Sequence, residues 1–241
     1  MESLFSKTSD VPFCEGKING IPEIWNTTSS LFISFVAYVA LRCGQLNDDV
    51  RSIYYVLFMN GFGSMGYHWV IKGSIGYIWK MFDQFTMILA LWMGITSCIK
   101  ICKNSNLELY SIHTLNLFML ICSSCEYDDI FRFLFGIQCL FLLRYYRQMT
   151  FKLYYQDYYN FGYRGLKISI IAGLFWVMTE IFCNKYLILG HTVWHIGIAY
   201  GMHMVLQFIN SIKVCLPTIS KQTTLTVKKR MFIPILSNTE L

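Results

Sequence analysis

Two histidines four residues apart, His191 and His195, give the strongest chemical signal in this sequence. In a helix, residues at positions i and i+4 project from one face at a separation that suits two ligands of the same metal ion. Three neutral imidazoles leave the fourth position of a zinc ion open to water, and the metal lowers the pKa of that water towards neutrality. His68 lies in an earlier apolar stretch at the depth predicted for this pair, so the sequence predicts a hydrolytic zinc site.

A serine and an aspartate accompany the predicted metal ligands. Ser64 lies one helical turn before His68, and Asp83 lies in the next apolar stretch, beyond a loop that contains Gly73 and Gly76. At a rise of about 1.5 Å per residue, His68 lies about 6 Å below that loop and Asp83 about 10 Å below it. We expect Asp83 to orient or deprotonate the attacking water and to protonate the leaving nitrogen, and Ser64 to donate to the oxyanion.

Three further polar residues lie in apolar stretches. His113 and His203 do not share the depth and face of the histidine pair, and we expect them to serve packing or hydrogen bonding. Glu180 is near the predicted site, where it either has a structural role or lines the site. Both interpretations of Glu180 stay open.

The composition indicates that the bilayer is the solvent of this chain. Of its 241 residues, 55% are hydrophobic and 14% are charged, whereas ordinary soluble domains have about half and about a quarter. A spanning helix needs about 20 residues, and apolar stretches suitable for spans lie at Ile24–Leu41, Ile53–Ile71, Ile78–Cys98, Leu107–Ser123, Ile130–Leu143, Leu166–Cys183 and Leu187–Phe208. The sequence predicts an all-α, integral membrane bundle of seven helices, whose loops include the Tyr- and Arg-rich stretch from Arg144 to Arg164.

The lysines and arginines are divided unevenly between the two sides of this bundle. Five lie on the side of the N-terminus, namely Lys7, Lys17, Lys72, Lys80 and Lys185, and Arg132, near the start of the fifth stretch on the same side, is left out of the count. Fourteen lie on the opposite side, namely Arg42, Arg51, Lys100, Lys103, Arg144, Arg147, Lys152, Arg164, Lys167, Lys213, Lys221, Lys228, Lys229 and Arg230. Because cytosolic loops carry the excess of positive charge, the N-terminus is predicted to be lumenal or extracellular and the C-terminus cytosolic.

This topology divides the chain into a lumenal N-terminal segment at residues 1–23, a seven-helix domain at 24–213 and a cytosolic basic tail at 214–241. The first ten residues lack the apolar core of a signal peptide, so we expect the first span to direct insertion. We expect the tail to be poorly ordered and to touch anionic lipid. The net charge of +6 is scattered between apolar stretches, which argues against a nucleic-acid-binding face.

Five motifs, in order along the chain, resemble the signatures of alkaline ceramidases. They are Glu23-Ile-Trp25-Asn26-Thr27, Ser64-x-x-x-His68, Phe82-Asp83-Gln84-Phe85-Thr86-Met87, Trp176-x-x-x-Glu180-x-x-Cys183 and His191-x-x-Trp194-His195. Alkaline ceramidases belong to a superfamily of seven-helix membrane hydrolases that also includes the progestin and adiponectin receptors. The resemblance implies that His68, His191 and His195 hold zinc and that Ser64 and Asp83 act beside it.

The resemblance implies a zinc-dependent intramembrane amidase that hydrolyses ceramide to sphingosine and a free fatty acid, with the lipid entering sideways from the bilayer. It also implies a multi-pass protein of the endoplasmic reticulum or Golgi membrane. Two other functions stay open: a related hydrolase that acts on another acyl amide or ester, and a non-catalytic receptor or sensor that contains a metal. A structural zinc usually has its fourth position closed by protein, which argues against the second.

The N-terminal segment departs from the family pattern. Where alkaline ceramidases have an Asp-Trp-Cys-Glu-x-Asn stretch that resembles a calcium site beside the zinc, this chain has Pro12-Phe13-Cys14-Glu15-Gly16-Lys17. Either Lys17 supplies the positive charge here, or calcium is bound by Asp10, Phe13, Glu15, Asn19 and Glu23. The stretch between His68 and Asp83 is also longer than in the vertebrate pattern, which predicts a longer loop around Gly73–Gly76.

The resemblance also implies a disulfide between Cys14 and Cys183, which joins the N-terminal segment to the end of the sixth span. The predicted topology puts both cysteines on the lumenal, oxidising side. Nearby, Asn26-Thr27-Thr28 matches the acceptor pattern for N-glycosylation. It lies at the mouth of the first span, so we expect it to be unmodified and engaged in the structure.

Overall fold

The computed structural model describes residues 12–70, 72–102, 106–152, 156–215, 223–230 and 233–240. These residues form eight helices and two strands: α1 (Cys14–Asn19), α2 (Ile24–Cys43), α3 (Asp48–Trp69), α4 (Gly73–Cys102), α5 (Asn106–Ser124), α6 (Asp128–Lys152), α7 (Gln156–Ile181), α8 (Gly190–Cys215), β1 (Thr223–Arg230) and β2 (Ile233–Glu240). The long helices α2–α8 correspond in order to the seven apolar stretches. The predicted helical-bundle fold is therefore confirmed.

Two connections are shorter than the sequence predicts. The predicted loop around Gly73 and Gly76 is wrong, because α4 already begins at Gly73, which has a positive φ of 73° that glycine adopts readily. The additional residues lengthen α4 instead. The predicted loop from Arg144 to Arg164 is wrong over most of its length, because α6 continues to Lys152 and α7 begins at Gln156. The stretch contains no proline, and its first glycine is Gly162, so its residues are compatible with a helix.

The C-terminal tail also contains regular structure. Strands β1 and β2 pair antiparallel, with Thr223 opposite Glu240 and Arg230 opposite Ile233. Strand β1 is rich in threonine and also contains valine, and both residue types favour strands. The expectation of a poorly ordered tail is wrong for these two strands, whereas its cytosolic location and its contact with lipid stay predictions.

The helices pack in an order that brings α2, α3, α4 and α8 together. Helix α8 packs against α7 and α2, α3 packs against α2 and α4, and α4 also packs against α5 and α6. The main apolar core contains Tyr54 on α3, Ile95 on α4, Tyr146 on α6 and Ile209 on α8. These residues lie near the start of α3 and towards the ends of α4, α6 and α8, so the core fills one end of the bundle. The histidines and their polar neighbours lie at the other end.

Apolar side chains also cover the outside of the bundle. On α7, Ile171 is 55% exposed, Leu174 is 60% exposed and Ile181 is 65% exposed, and a continuous apolar surface of this kind suits lipid better than water. Among the residues that the structure describes, three helical segments are long and apolar enough to cross a membrane, namely Ile24–Cys43, Gly73–Cys102 and Asn160–Ile181. These features support a membrane protein, whereas the seven spans and their orientation stay predictions.

Candidate metal centre

Three histidines from two helices lie together at one end of the bundle. Helix α3 carries His68 next to its last residue, and α8 carries His191 and His195 in its first two turns. Their ligand nitrogens all lie within 4.8 Å of one another, and all three side chains are buried. In the part of the chain that the structure describes, these are the His, Cys, Asp and Glu side chains that are grouped to hold a metal ion.

Glu23 holds the His68 imidazole from outside the cluster. Its carboxylate accepts a hydrogen bond from His68 Nδ1 at 2.7 Å, and its backbone N–H donates to the His68 carbonyl at 3.1 Å. Both residues are buried, with exposed fractions of 0% and 1%. Because Nδ1 carries the proton in this bond, Nε2 keeps its lone pair for a metal ion, as is usual for metal-binding histidines.

Serine hydroxyls surround the ring of His195. Ser29 Oγ lies 2.8 Å from His195 Nδ1 and donates to the Asn26 carbonyl at 3.1 Å. Because Ser29 has a single hydrogen to donate, it accepts from Nδ1–H, which leaves Nε2 of His195 for a metal ion. Ser64 Oγ lies 3.5 Å from that Nε2 and 3.0 Å from Ser30 Oγ. The predicted catalytic serine therefore lies beside the nitrogen that is left for the metal.

His191 is surrounded by aromatic rings. The ring of Phe13 lies 4.2 Å away and that of Trp176 lies 5.5 Å away, measured between centroids. His191 Nδ1 is buried and makes no hydrogen bond with the described residues, although Glu180 Oε1 lies 3.9 Å away. Phe13 also lies 5.0 Å from the His68 ring. This phenylalanine therefore covers two of the three imidazoles.

Asp83 lies on α4, beside the histidine cluster. Asn60 on α3 donates through Nδ2 to Asp83 Oδ1 at 2.9 Å, and the same nitrogen lies 3.0 Å from Thr86 Oγ1. The Asp83 side chain is buried, and a Cβ atom on Gly63, the residue before Ser64, would lie 3.3 Å from the Asp83 backbone nitrogen. The amide of Asn60 therefore orients the Asp83 carboxylate next to the cluster.

Two glycines allow α3 to approach its neighbours at the level of the cluster. A Cβ atom on Gly61 would lie 2.9 Å from the Ser30 carbonyl oxygen on α2, and one on Gly63 would lie 2.7 Å from Phe82 Cδ1 on α4. These distances are well below the separation of about 3.5–4.0 Å at which non-bonded carbon atoms attract each other. The helix contacts that bring Ser30 and Asp83 to the site therefore depend on glycine.

The N-terminal segment is joined to the start of α2 through Glu15. Its carboxylate oxygens accept the backbone N–H groups of Trp25 at 2.8 Å and Asn26 at 2.9 Å. The first N–H groups of a helix have no partner within the helix, and a negative charge is favourable there. Glu23 makes a second connection, because its Oε1 accepts from Phe13 N at 2.8 Å.

The five predicted calcium ligands differ in their surroundings. Glu15 and Glu23 are buried, and all four of their carboxylate oxygens accept N–H groups. The Phe13 carbonyl accepts a backbone N–H at 3.0 Å, Asn19 is exposed, and Asp10 lies outside the described residues. These contacts favour the interpretation in which the segment is held without a cation, and calcium binding stays a prediction.

The N-terminal segment also reaches the end of α7. The sulfur atoms of Cys14 and Cys183 lie at disulfide distance, with their Cα atoms 5.4 Å apart. Lys17 Nζ lies 3.7 Å from Glu180 Oε2, and Cys14 N–H donates to Glu180 Oε1 at 3.3 Å. Glu180 therefore faces both the segment and His191, and the disulfide bond itself stays a prediction.

The sequence matches a known family over almost its full length. The family model for Ceramidase matches residues 5–237. The chain belongs to the ceramidase family. A comparison with individually curated proteins found no significant match. Membership of the ceramidase family indicates a hydrolase of amide bonds that acts on lipid, and it confirms the family that the sequence motifs predicted.

The donor atoms of this ceramidase-family site fit a zinc ion. The three imidazoles are buried within 4.8 Å of one another, and His68 and His195 are both held through Nδ1. Their Nε2 atoms are therefore available together, as tetrahedral zinc coordination requires. Imidazole also suits copper, iron and nickel, so the geometry indicates a metal site without identifying the metal.

Three residues outside the site behave as the sequence predicts. His113 Nδ1 accepts a hydrogen bond from Trp92 Nε1 at 2.6 Å, and His203 Nδ1 lies 2.9 Å from the Tyr54 hydroxyl. Both histidines are therefore engaged in hydrogen bonds away from the cluster. Asn26, in the glycosylation pattern, is fully buried and hydrogen-bonded, so it is engaged in the structure.

Several residues that build the ceramidase-family site were not found from the sequence. Asn60 had a detectable signal, because Asn60, Ser64 and His68 recur at every fourth position and so share one face of α3. Ser29 had no detectable signal, because a serine in an apolar helix more often makes a hydrogen bond to the backbone of its own helix. Glu23 is one of the possible calcium ligands, and the sequence gives no sign that its side chain holds His68.

Proposed function

We propose that this protein is a zinc-dependent intramembrane amidase that hydrolyses ceramide to sphingosine and a free fatty acid. The observation that carries the proposal is the buried group of His68, His191 and His195 in a chain of the ceramidase family. A structural zinc site usually has four protein ligands, and the described residues supply three to this cluster. The arrangement supports a catalytic metal over a structural one.

Ser64 and Asp83 have complementary roles in this proposal. Zinc bound by the three imidazoles supplies a Lewis acid with an open position, which polarises a carbonyl and makes water more acidic. Ser64 donates its hydroxyl hydrogen to the carbonyl oxygen as negative charge develops there. Asp83, oriented by Asn60, accepts a proton from water as the water oxygen bonds to the carbonyl carbon. It returns that proton to the nitrogen as the carbon–nitrogen bond breaks.

Apolar surface near the cluster supports a lipid substrate that comes from the bilayer. Val193 and Ile196 are 42% and 45% exposed, and they flank His195 on α8. These residues lie on the outer face of α8, so a lipid chain against them would be at the depth of the cluster, within one helical turn along the axis. The family also indicates a lipid substrate. We therefore include sideways access from the membrane in the proposal.

We further propose that all seven long helices span the membrane, with the N-terminus in the lumen of the endoplasmic reticulum or Golgi and the C-terminus in the cytosol. The uneven division of lysine and arginine supports this orientation, and so does the pairing of Cys14 with Cys183, because disulfides persist in oxidising compartments. Glycosylation acceptor sites added at either terminus test it. We expect glycan on the N-terminal site alone, and a glycan on the C-terminal site would contradict the orientation.

The decisive experiment measures fatty acid release from labelled ceramide by the detergent-purified protein, with the metal content determined on the same sample. We expect hydrolysis with about one zinc ion per chain. His191→Ala should lose both zinc and activity. His113→Ala is the matched control, because this histidine bonds Trp92 outside the cluster, and it should retain both.

Other outcomes would redirect or refute the proposal. Bound zinc without ceramide turnover would contradict the substrate and direct the search to other acyl amides or esters, or to a sensor. A protein that contains no zinc and still hydrolyses ceramide would refute the zinc mechanism. Retention of zinc and activity in His191→Ala would refute the assignment of this ligand.

A further inference from the structure

The three histidines of the cluster differ in the partners of their Nδ1 atoms. His68 Nδ1 is bonded to Glu23 at 2.7 Å, and His195 Nδ1 is bonded to Ser29 at 2.8 Å. His191 Nδ1 is buried and has no hydrogen bond with the described residues. We propose that Glu180 is the positioning residue of His191 and accepts the Nδ1 hydrogen of this ring when Nε2 binds the metal. This inference rests on the proposed function, because it requires the cluster to hold a metal ion.

The chemistry of a neutral imidazole requires such a partner. An imidazole that binds a metal ion through Nε2 carries its hydrogen on Nδ1, and a buried N–H group without an acceptor destabilises the protein. Metal-binding histidines almost always donate this hydrogen to a carboxylate, a carbonyl or water. The His191 side chain is 6% exposed, so bulk water is largely excluded. A protein acceptor is therefore expected.

Glu180 is the carboxylate in reach of this nitrogen. Its Oε1 atom lies 3.9 Å from His191 Nδ1, so a shift of about 1 Å brings the two atoms to hydrogen-bond distance. The Glu180 side chain is 23% exposed and has room to move. Its hydrogen bond from Cys14 N is long, at 3.3 Å, so Oε1 can accept a second donor without losing a strong bond.

An alternative role for Glu180 is purely structural. Lys17 Nζ lies 3.7 Å from Glu180 Oε2, so the carboxylate could serve only to anchor the N-terminal segment to α7. Two substitutions distinguish the structural role of Glu180 from its role in positioning His191. Lys17→Gln removes the ion pair and leaves the Glu180 carboxylate next to His191, whereas Glu180→Ala removes both.

The experiment compares the full-length protein with Glu180→Ala, Glu180→Gln and Lys17→Gln in detergent. Zinc affinity is measured by competition with a chromogenic chelator, and the visible absorption spectrum is recorded after cobalt replaces zinc. We expect Glu180→Ala to lower zinc affinity about 10- to 100-fold, the range for partners that orient metal ligands. We also expect a changed cobalt spectrum. Glu180→Gln should restore part of the affinity, because its amide oxygen can accept the Nδ1 hydrogen.

Lys17→Gln provides the control for an anchoring role. We expect its zinc affinity within about two-fold of the wild type and an unchanged cobalt spectrum, because the carboxylate remains beside His191. Wild-type zinc affinity in Glu180→Ala, or an equal loss in Lys17→Gln, would overturn the inference. Neither readout uses ceramide, so failure to hydrolyse ceramide with an intact metal site would refute the proposed substrate alone. A wild-type protein that binds neither zinc nor cobalt would overturn both proposals.

Discussion

Glu23→Gln is expected to lower the stability of the protein and its affinity for zinc, although the side chain keeps its shape. Glu23 is fully buried, and its carboxylate accepts Phe13 N at 2.8 Å, Asn26 Nδ2 at 3.0 Å and His68 Nδ1 at 2.7 Å. Phe13 bonds one of the two oxygens, and Asn26 and His68 share the other. Glutamine replaces one oxygen with an NH₂ group. At one of the two oxygen positions, two hydrogen-bond donors then face each other.

The size of the effect follows from these contacts. The amide should take the orientation in which its oxygen keeps Asn26 and His68, and the NH₂ group then faces Phe13 N. Loss of a hydrogen bond to a charged group costs about 1.5–3 kcal/mol, and the two remaining bonds become neutral ones that are weaker by about 1 kcal/mol each. The free energy of unfolding should fall by about 3.5–5 kcal/mol, a large part of a typical total of about 5–15 kcal/mol. Zinc affinity should fall about 10- to 100-fold, because the carboxylate partner of His68 is lost.

The assay is thermal unfolding in detergent, together with zinc affinity measured by chelator competition. Glu126→Gln is the matched control, because Glu126 is exposed in the turn between α5 and α6, and it should behave as the wild type. Both measurements are made with and without added calcium. A Glu23→Gln protein with wild-type stability and zinc affinity would refute the reasoning, and losses that appear only with calcium would instead make Glu23 a calcium ligand.

Three other predictions concern the helix contacts and the N-terminal segment. Gly63→Ala should reduce ceramide turnover while zinc content is retained, because its Cβ would lie 2.7 Å from Phe82 Cδ1 and would displace α4. The control is Gly94→Ala, where no atom lies within 4 Å of the added Cβ. Equal turnover in the two variants would contradict the prediction. Elemental analysis should find no stoichiometric calcium, and added calcium should change neither the melting temperature nor turnover, so a bound calcium ion would restore the other interpretation. Cys14→Ser, Cys183→Ser and the double substitution should each destabilise the protein by the same amount, about 2–5 kcal/mol, whereas additive losses in melting experiments would indicate two unpaired cysteines.

The parts of the site that lie close together in the sequence were predictable, and the parts joined by long-range contacts were not. His191 and His195 are one helical turn apart, so their shared face follows from helix geometry alone. The partner of His68 is Glu23, 45 residues away, and Ser29 meets His195 across 166 residues. No spacing rule predicts such pairs, because they depend on which helices pack together. Only tertiary packing determines that order.

The sequence also predicted the existence of the long helices better than their ends. Apolar stretches located all seven long helices, because the bilayer demands a continuous run of apolar residues. They did not locate the helix ends, since Gly73 begins α4 and α6 continues to Lys152 beyond the apolar stretch. Polar residues such as those from Arg144 onward remain helical when no breaker interrupts them. Hydropathy therefore locates the apolar middle of each helix, and the helices extend past it.

The orientation of the histidines depends on elements other than the helices that carry them. Helix α2 supplies Ser29 to His195, and Glu23, at its start, holds His68. The start of α2 is itself capped by Glu15 of α1. A substitution that loosens this cap would release both partners together, although it touches no ligand. A substitution that damages the N-terminal segment is therefore expected to lower metal affinity although all three histidines are present. The residues on which metal binding depends extend beyond the helices that contain the ligands.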